Sequence, residues 1–238
     1  MTDNAHIVSA VDTDLSQIET LLLEMGGLVE AQIADGVQAL ITRDVEAGQK
    51  VRRKDKDVDA FEARIDELAI RFIAMRQPMA VDLRRVVTAL KITSSLERMG
   101  DYAKNMGKRV EALADAGNIG GSSKAIERMS ELVREMVRDV LDAFIARDTA
   151  MAYEIRARDE QVDQLHNTLF REMLTYMIEQ PQNITACMHL LFIAKNVERM
   201  GDHATGIAEQ IIYLVDGALP DDDRQKGDET AFYAGEEE

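Results

Sequence analysis

Glu97-Arg98-Met99-Gly100-Asp101 occurs a second time in this chain, as Glu198-Arg199-Met200-Gly201-Asp202, 101 positions later. The repetition extends upstream, because twelve positions within residues 25–59 find identical or similar residues 104 positions later, within residues 129–163. Chance does not produce a five-residue identity together with a long pattern in the same phase. The sequence therefore predicts a tandem duplication of one unit.

Each copy has the periodicity of three helices. In the first copy, apolar residues recur at steps of three and four through residues 15–40 and again through 58–79, which is the pattern of amphipathic helices. Gln77-Pro78 interrupts this pattern, since the residue before a proline usually leaves the helical conformation. A third helix is predicted from about Leu83 to Leu113. The second copy repeats the three helices and the break, at about 126–144, 155–177, 184–215 and Gln180-Pro181.

The predicted fold class is all-α, a tandem repeat of two three-helix bundles. The boundary between them follows from the loop-forming composition of Asp115 to Ser123. Acids dominate the end of the chain, where residues 216–238 hold nine acids and two bases. The predicted organisation is a first bundle, a linker, a second bundle and an acidic, disordered tail, at 1–115, 116–123, 124–216 and 217–238.

Composition and charge exclude several classes of protein. The 238 residues are 46% apolar and 30% charged, which is typical of a folded domain in water. The net charge of −16, from 44 acids against 28 bases, argues against nucleic-acid binding, which needs a basic face. The single cysteine, Cys187, cannot form a disulfide framework or a cysteine-based zinc site. Because no signal-peptide pattern and no span of about 20 apolar residues is present, we expect a cytoplasmic protein.

Acidic side chains form rows on two helices of the first copy. At about 100° per residue, Glu97, Asp101 and Asn105 share one face of the third helix. Four acids of the second helix lie within about 40° of one another: Asp55, Asp59, Glu62 and Asp66. If the two helices are antiparallel neighbours, the rows face each other. We call these seven residues the first acidic cluster.

The second copy carries a matching set, the second acidic cluster, made of Asp159, Asp163, His166, Glu198 and Asp202. Like charges four residues apart disfavour a helix, so keeping such rows twice calls for a compensating positive charge. Hard cations take carboxylate oxygens, and we predict divalent or trivalent metal ions of unknown identity (Mg, Mn, Fe or Zn). His166 stands where Glu62 stands in the first copy, which makes the second cluster more like a transition-metal site. Salt bridges to neighbouring Arg and Lys side chains are the competing interpretation.

Sequence motifs of common enzymes are missing. The chain has no Gly-rich nucleotide-binding loop, no His-Glu-x-x-His and no Gly-x-Ser-x-Gly. We therefore assign no catalytic residue. Two alternatives stay open at this point, a di-metal carboxylate enzyme and a metal-free helical scaffold.

Besides the two Glu-Arg-Met-Gly-Asp segments, four further stretches are distinctive: Met25-Gly26-Gly27-Leu28-Val29-Glu30, Arg76-Gln77-Pro78, Asp82-Leu83-Arg84 and Leu174-Thr175-Tyr176-Met177. Together these segments resemble the PhoU family, accessory regulators of bacterial phosphate uptake. The resemblance covers almost the whole chain to about Val215.

The resemblance implies a regulator without catalytic turnover, commonly a homodimer. Such a protein represses the phosphate-starvation response and restrains uptake by linking the ATPase subunit of the phosphate ABC transporter to a phosphate-sensing histidine kinase. It reaches the membrane only peripherally, through these partners. Family members bind metal clusters through acidic motifs, which map onto the two acidic clusters. Gly206, His166 and Phe170 stand where the first copy has Asn105, Glu62 and Asp66, so equal metal binding by the two clusters is not implied.

Overall fold

A computed structural model of the chain describes residues 2–114, 116 and 121–221, with side chains described from Val11 onward. All regular structure in this part of the chain is helical, which confirms the predicted fold class. A short 3-10 turn, Pro181–Asn183, precedes the last helix. The six α-helices are α1 (Thr2–Thr42), α2 (Val45–Arg76), α3 (Val81–Leu113), α4 (Ser122–Ala146), α5 (Thr149–Glu179) and α6 (Ile184–Asp216).

The helix boundaries follow from local signals that both copies share. Asp44 and Asp148 cap α2 and α5, because their side chains accept hydrogen bonds from the backbone amides three residues ahead. The residues just before them, Arg43 and Arg147, adopt left-handed backbone conformations with φ of 54° and 56°. Gln77 ends α2 with φ of 48°. The predicted break at Gln77-Pro78 is therefore the α2–α3 turn.

The predicted linker, 116–123, and the predicted tail, 217–238, can each be compared with the structure over part of their length. Helix α4 begins at Ser122, inside the segment 116–123 that the sequence predicts as a linker. The amides of Lys124 and Ala125 bond to the carbonyl oxygen of Gly121, and Ser122 is buried. These contacts extend the helix toward its N-terminus. Of the predicted tail, residues 222–238 lie outside the described residues.

Each copy forms one bundle, since α1, α2 and α3 pack on one another and α4, α5 and α6 do the same. The bundles also pack together, through α1 with α4 and α3 with α6. Their buried apolar side chains form one continuous core. Within the described ranges, no helix has an apolar stretch long enough to cross a lipid bilayer.

Helices α3 and α6 are antiparallel and cross near the repeated motif. Arg84, near the start of α3, donates to the Leu214 carbonyl oxygen near the end of α6 (3.4 Å). Arg109, near the end of α3, contacts His189 near the start of α6 (3.1 Å). Between these ends, the ring of Tyr102 meets that of its repeat equivalent His203, with centroids 5.8 Å apart. The two copies are thus related by an approximate two-fold axis through the middle of the α3–α6 contact.

Candidate metal centre

The first acidic cluster lies along the contact between α2 and α3. Asp55, near the start of α2, is only 3% exposed. Glu62, Glu97 and Asp101 are partly buried, whereas Asp59, Asp66 and Asn105 are exposed. The cluster therefore runs from a buried carboxylate to a solvated rim, and the two predicted rows do face each other.

Lys104 lies within the first cluster, between its two helices. Its ammonium nitrogen is 2.5 Å from Asp55 Oδ2 and 3.1 Å from Asp101 Oδ1. The hydrogen bonds to Asp55 and Asp101 raise the pKa of the Lys104 ammonium. Sequence reasoning missed this residue as a partner of the acids. The sequence does place Lys104 three residues after Asp101, a spacing that allows an ion pair on one helix. It gives no signal for the contact with Asp55, which belongs to another helix.

Arg98 offsets part of the charge on the remaining carboxylates of the first cluster, because its Nε lies 3.6 Å from Glu97 Oε2, but their pKa values are still raised. Burial raises the pKa of Asp59, and the charges of Asp55 and Asp101 raise it further, while Lys104 opposes them. Burial also raises the pKa of Glu97, with Asp101 and Glu62 adding to the effect. Because Glu62 and Asp59 belong to α2 and Glu97 to α3, the repulsion acts across the helix contact. Lys104 and Arg98 together therefore offset only part of the charge of the cluster.

A buried amide oxygen faces the same place. Gln32, on α1, is 1% exposed and donates Nε2–H to the Val51 carbonyl oxygen (3.3 Å). Its Oε1 has no hydrogen-bond partner in the described part of the chain. This oxygen and Asp55 Oδ1 lie 3.3 and 3.6 Å from the point where a Cβ on Gly100 would stand. The donors beside Gly100 are all oxygens, which suits hard cations. The sequence signal for Gln32 was its position as a polar residue within the apolar series of α1, where a buried polar side chain is expected to bind a partner.

The second acidic cluster is more deeply buried than the first. Asp159, Asp163, His166 and Glu198 are 2–4% exposed, and Asp202 is partly exposed. Asp159 Oδ1 approaches to 3.2 Å the point where a Cβ on Gly201 would stand. The second cluster therefore lines the α5–α6 contact, through Asp159 and Asp163 of α5 and Glu198 of α6. This contact is the equivalent of the α2–α3 contact in the first copy.

Glu198 carries the strongest sign of an uncompensated charge. Its Oε1 accepts a hydrogen bond from Lys195 (3.0 Å), while its buried Oε2 has no such partner within the described residues. Burial raises the pKa of Glu198 to about 7; Lys195 opposes the shift, and Asp202 and Asp163 add to it. A buried carboxylate oxygen without a hydrogen-bond donor fits a metal ligand. His166, one turn after Asp163 on α5, is also buried, and its imidazole is a nitrogen ligand of the kind that transition metals take.

An open pocket of about 370 Å³ gives access to the second cluster. Asp163, Glu198 and Asp202 line it, and Tyr102 reaches it from the first copy. A hydrogen bond to Tyr102 raises the pKa of the Arg199 guanidinium. Both copies thus contribute to the mouth of this pocket.

The side chains as they stand do not form a finished coordination site. In residues 2–114, 116 and 121–221, no three His, Cys, Asp or Glu groups come together closely enough to hold a metal ion. Lys104 occupies part of the first cluster, and Lys195 occupies part of the second. The salt-bridge interpretation therefore applies to the buried end of each cluster. Metal binding requires the carboxylates to change rotamer and the lysines to move.

Comparison with known proteins places this geometry in a family. Residues 22–110 and 126–211 each match the PhoU domain. The phosphate-specific transport system accessory protein PhoU homolog of Rhizobium meliloti is 47% identical over 228 residues, covering 96% of both chains. The protein of the same description from Caulobacter vibrioides is 47% identical over 212 residues, covering 89% of this chain and 92% of the other.

Solved structures agree with this placement. The crystal structure of PhoU from Pseudomonas aeruginosa superposes with a TM-score of 0.83 at 38% identity, covering 87% of this chain and 99% of the other. That of the phosphate transport system regulatory protein PhoU from Streptococcus pneumoniae gives 0.83 at 29% identity, covering 89% and 99%. These relatives are regulatory accessory proteins, which agrees with the prediction that the chain is not an enzyme. The duplicated three-helix unit, its repeated acidic motif and these matches show that the chain belongs to the PhoU family of phosphate-transport accessory proteins.

Proposed function

We propose that this protein is a cytoplasmic adaptor that represses the phosphate-starvation response and restrains phosphate uptake through metal-bearing acidic clusters. Its proposed partners are the ATPase subunit of the phosphate ABC transporter and a phosphate-sensing histidine kinase, with a homodimer as the working form. The names of the relatives support the transport role. The observation that carries the metal role is the pair of buried carboxylates, Asp55 and Glu198, each at the base of a duplicated acidic row.

The physical basis of this adaptor is a change in surface charge. In both clusters, acids from two helices face each other; burial raises the pKa values of Asp59, Glu97 and Glu198, and neighbouring carboxylates raise them further. A bound cation would supply the missing positive charge at this face. The exposed Asp59 and Asp66 at the rim of the first cluster, and the partly exposed Asp202 in the second, would then present a less repulsive surface to an anionic partner.

The two clusters favour different cations. The first offers carboxylate oxygens and the Gln32 amide oxygen, a donor set for Mg²⁺ or Mn²⁺. The second includes the imidazole of His166, which suits Fe or Zn²⁺ better. We propose that the first cluster exchanges its metal readily and that the more buried second cluster holds its metal longer.

A transcriptional reporter for phosphate-starvation genes tests the regulatory role. Deletion of the gene should derepress the reporter in high phosphate, and the wild-type gene should restore repression. The double variant Glu97→Ala/Asp101→Ala should restore it poorly, while Glu111→Ala, an exposed acid on the same helix, should restore it fully. A reporter that stays repressed after deletion would rule out the regulatory role.

The second candidate function is a metal-free helical scaffold. The contacts of Lys104 with Asp55 and Asp101 favour it, because they partly balance the buried charge without a metal. The two proposals separate in a binding experiment with the purified transporter ATPase subunit. A complex that survives chelator unchanged supports the scaffold, and one that dissociates and re-forms on adding Mn²⁺ supports the metal-bearing adaptor.

A further inference from the structure

Lys104 stands where a bridging cation would stand. Its ammonium contacts Asp55 Oδ2 on α2 and Asp101 Oδ1 on α3, at 2.5 and 3.1 Å. These carboxylates come from two helices, and a divalent cation bound between the helices would use the same oxygens. A lysine and a metal therefore cannot both occupy this position.

The second copy has no lysine at the equivalent position. Thr205 stands there and donates its hydroxyl to the carbonyl oxygen of Gly201 (3.1 Å). Lys195 instead approaches Glu198 from the preceding turn of α6, and its equivalent in the first copy is Ser94. The duplication kept the acids in both copies, but each copy has its lysine in a different place.

We infer that Lys104 is an internal counter-ion which a metal must displace from Asp55 and Asp101, so that this lysine sets the cation affinity and selectivity of the first cluster. The inference rests on the proposed function, that the acidic clusters bind metal. The inference names the residue that controls metal binding by the first cluster, and the acidic motif alone does not identify this residue.

The surroundings of Lys104 allow the exchange. Its side chain is 43% exposed, so the ammonium can swing into solvent on its flexible stem. Asp55 cannot follow, because it is buried. Once the lysine leaves, Asp55 and Asp101 are free to bind a cation. Gln32 Oε1, which has no hydrogen-bond partner among the described residues, faces Gly100 as Asp55 Oδ1 does. A divalent ion restores more charge than the lysine removes, whereas a monovalent ion does not.

The test compares Lys104→Met with Lys108→Met in the full chain. Lys108 lies one turn further along α3 and is exposed, so both variants lose the same charge on the same helix. Each is titrated with Mn²⁺ by calorimetry in a Glu198→Gln/Asp202→Asn background, which silences the second cluster. We expect Lys104→Met to bind Mn²⁺ about tenfold tighter than its background, because the fraction of binding-competent molecules rises. Lys108→Met should match the background.

A measurement without metal guards against misfolding. In EDTA, Lys104→Met should unfold at lower urea concentration than Lys108→Met, because Asp55 is left buried without its cation, and Mn²⁺ should restore its midpoint.

Lys104→Arg, which keeps the charge, should not gain Mn²⁺ affinity. Equal Mn²⁺ affinity in the Met variants overturns the role of Lys104 while leaving metal binding intact. No Mn²⁺ binding by any variant, or by wild type, overturns the inference together with the proposed metal role. If Lys104→Met stays unfolded when Mn²⁺ is added, the inference that a metal replaces the Lys104 ammonium at Asp55 and Asp101 is wrong.

Discussion

Asp55 and Glu198 are carboxylates buried at the base of the two acidic clusters, each beside one lysine. The two carboxylates differ in how far their negative charge is balanced by a lysine. Asp55 shares its lysine with Asp101, and Glu198 keeps one oxygen without a hydrogen-bond donor in the described residues. A charge in this setting is costly unless it is paired. The stability of the metal-free protein should therefore depend on pH through Glu198 and on cations through both residues.

Glu198 should make the metal-free protein less stable as the pH rises. Its pKa is raised from 4.5 to about 7 in the native state, so the native state keeps a proton that the unfolded chain releases. The cost of ionising it is absent below pH 4.5, grows between pH 4.5 and about 7, and is complete above that. Glu198→Gln should raise the free energy of unfolding by about 1–3 kcal/mol at pH 8 and by much less at pH 4.5.

Urea unfolding in EDTA at the two pH values measures this difference. Glu172→Gln, at an exposed glutamate on α5, is the matched control and should change stability little at either pH. If Glu198→Gln gains the same stability at both pH values, the buried carboxylate does not titrate as the structure implies.

At the scale of the helices, close approach between α2 and α3 sets the width of the first cluster. A Cβ on Gly107 would lie 2.6 Å from the Gly48 carbonyl oxygen, and one on Gly48 would lie 2.8 Å from that of Gly107. Backbone cannot move aside as a flexible side chain can. The second copy has Ala152 and Ala208 at these two positions, so this glycine contact belongs to the first copy.

Gly107→Ala should therefore destabilise the protein by about 1–3 kcal/mol, because the helices must separate. Gly206→Ala is the matched control on α6, where a Cβ would meet nothing within 4 Å. That variant should stabilise the protein by about 1 kcal/mol through helix propensity. Thermal unfolding followed by circular dichroism measures both. A gain of stability in Gly107→Ala would show that the helices do not depend on this contact.

The helices could be predicted because their signals are local. Steps of three and four between apolar residues define α1 and α2, and Gln77-Pro78 marks the turn between α2 and α3. The pairing of Lys104 with Asp55 could not be predicted, because it depends on how two helices are rotated against each other. Gln32 escaped notice for the same reason, since only tertiary packing brings α1 to Gly100.

At the scale of the whole molecule, the two copies act as one body. They share a continuous core, and the Tyr102–His203 contact lies between the repeated motifs. Tyr102 of the first copy lines the pocket of the second cluster. The acidic clusters thus lie on either side of the α3–α6 contact, so a partner at that contact could sense both. The sequence predicted two bundles but carried no signal for this joint surface.

Metal content per chain, determined by elemental analysis, tests the central claim most directly. The full chain is purified without chelator and without an affinity metal, beside Glu97→Ala/Asp101→Ala and Glu198→Ala/Asp202→Ala. We predict stoichiometric metal in the wild type, loss from the first cluster alone in one double variant and from the second alone in the other. Absence of metal from all three proteins, with no change in thermal stability on adding Mg²⁺, Mn²⁺, Fe or Zn²⁺, would contradict the claim and leave the acids as partners in salt bridges.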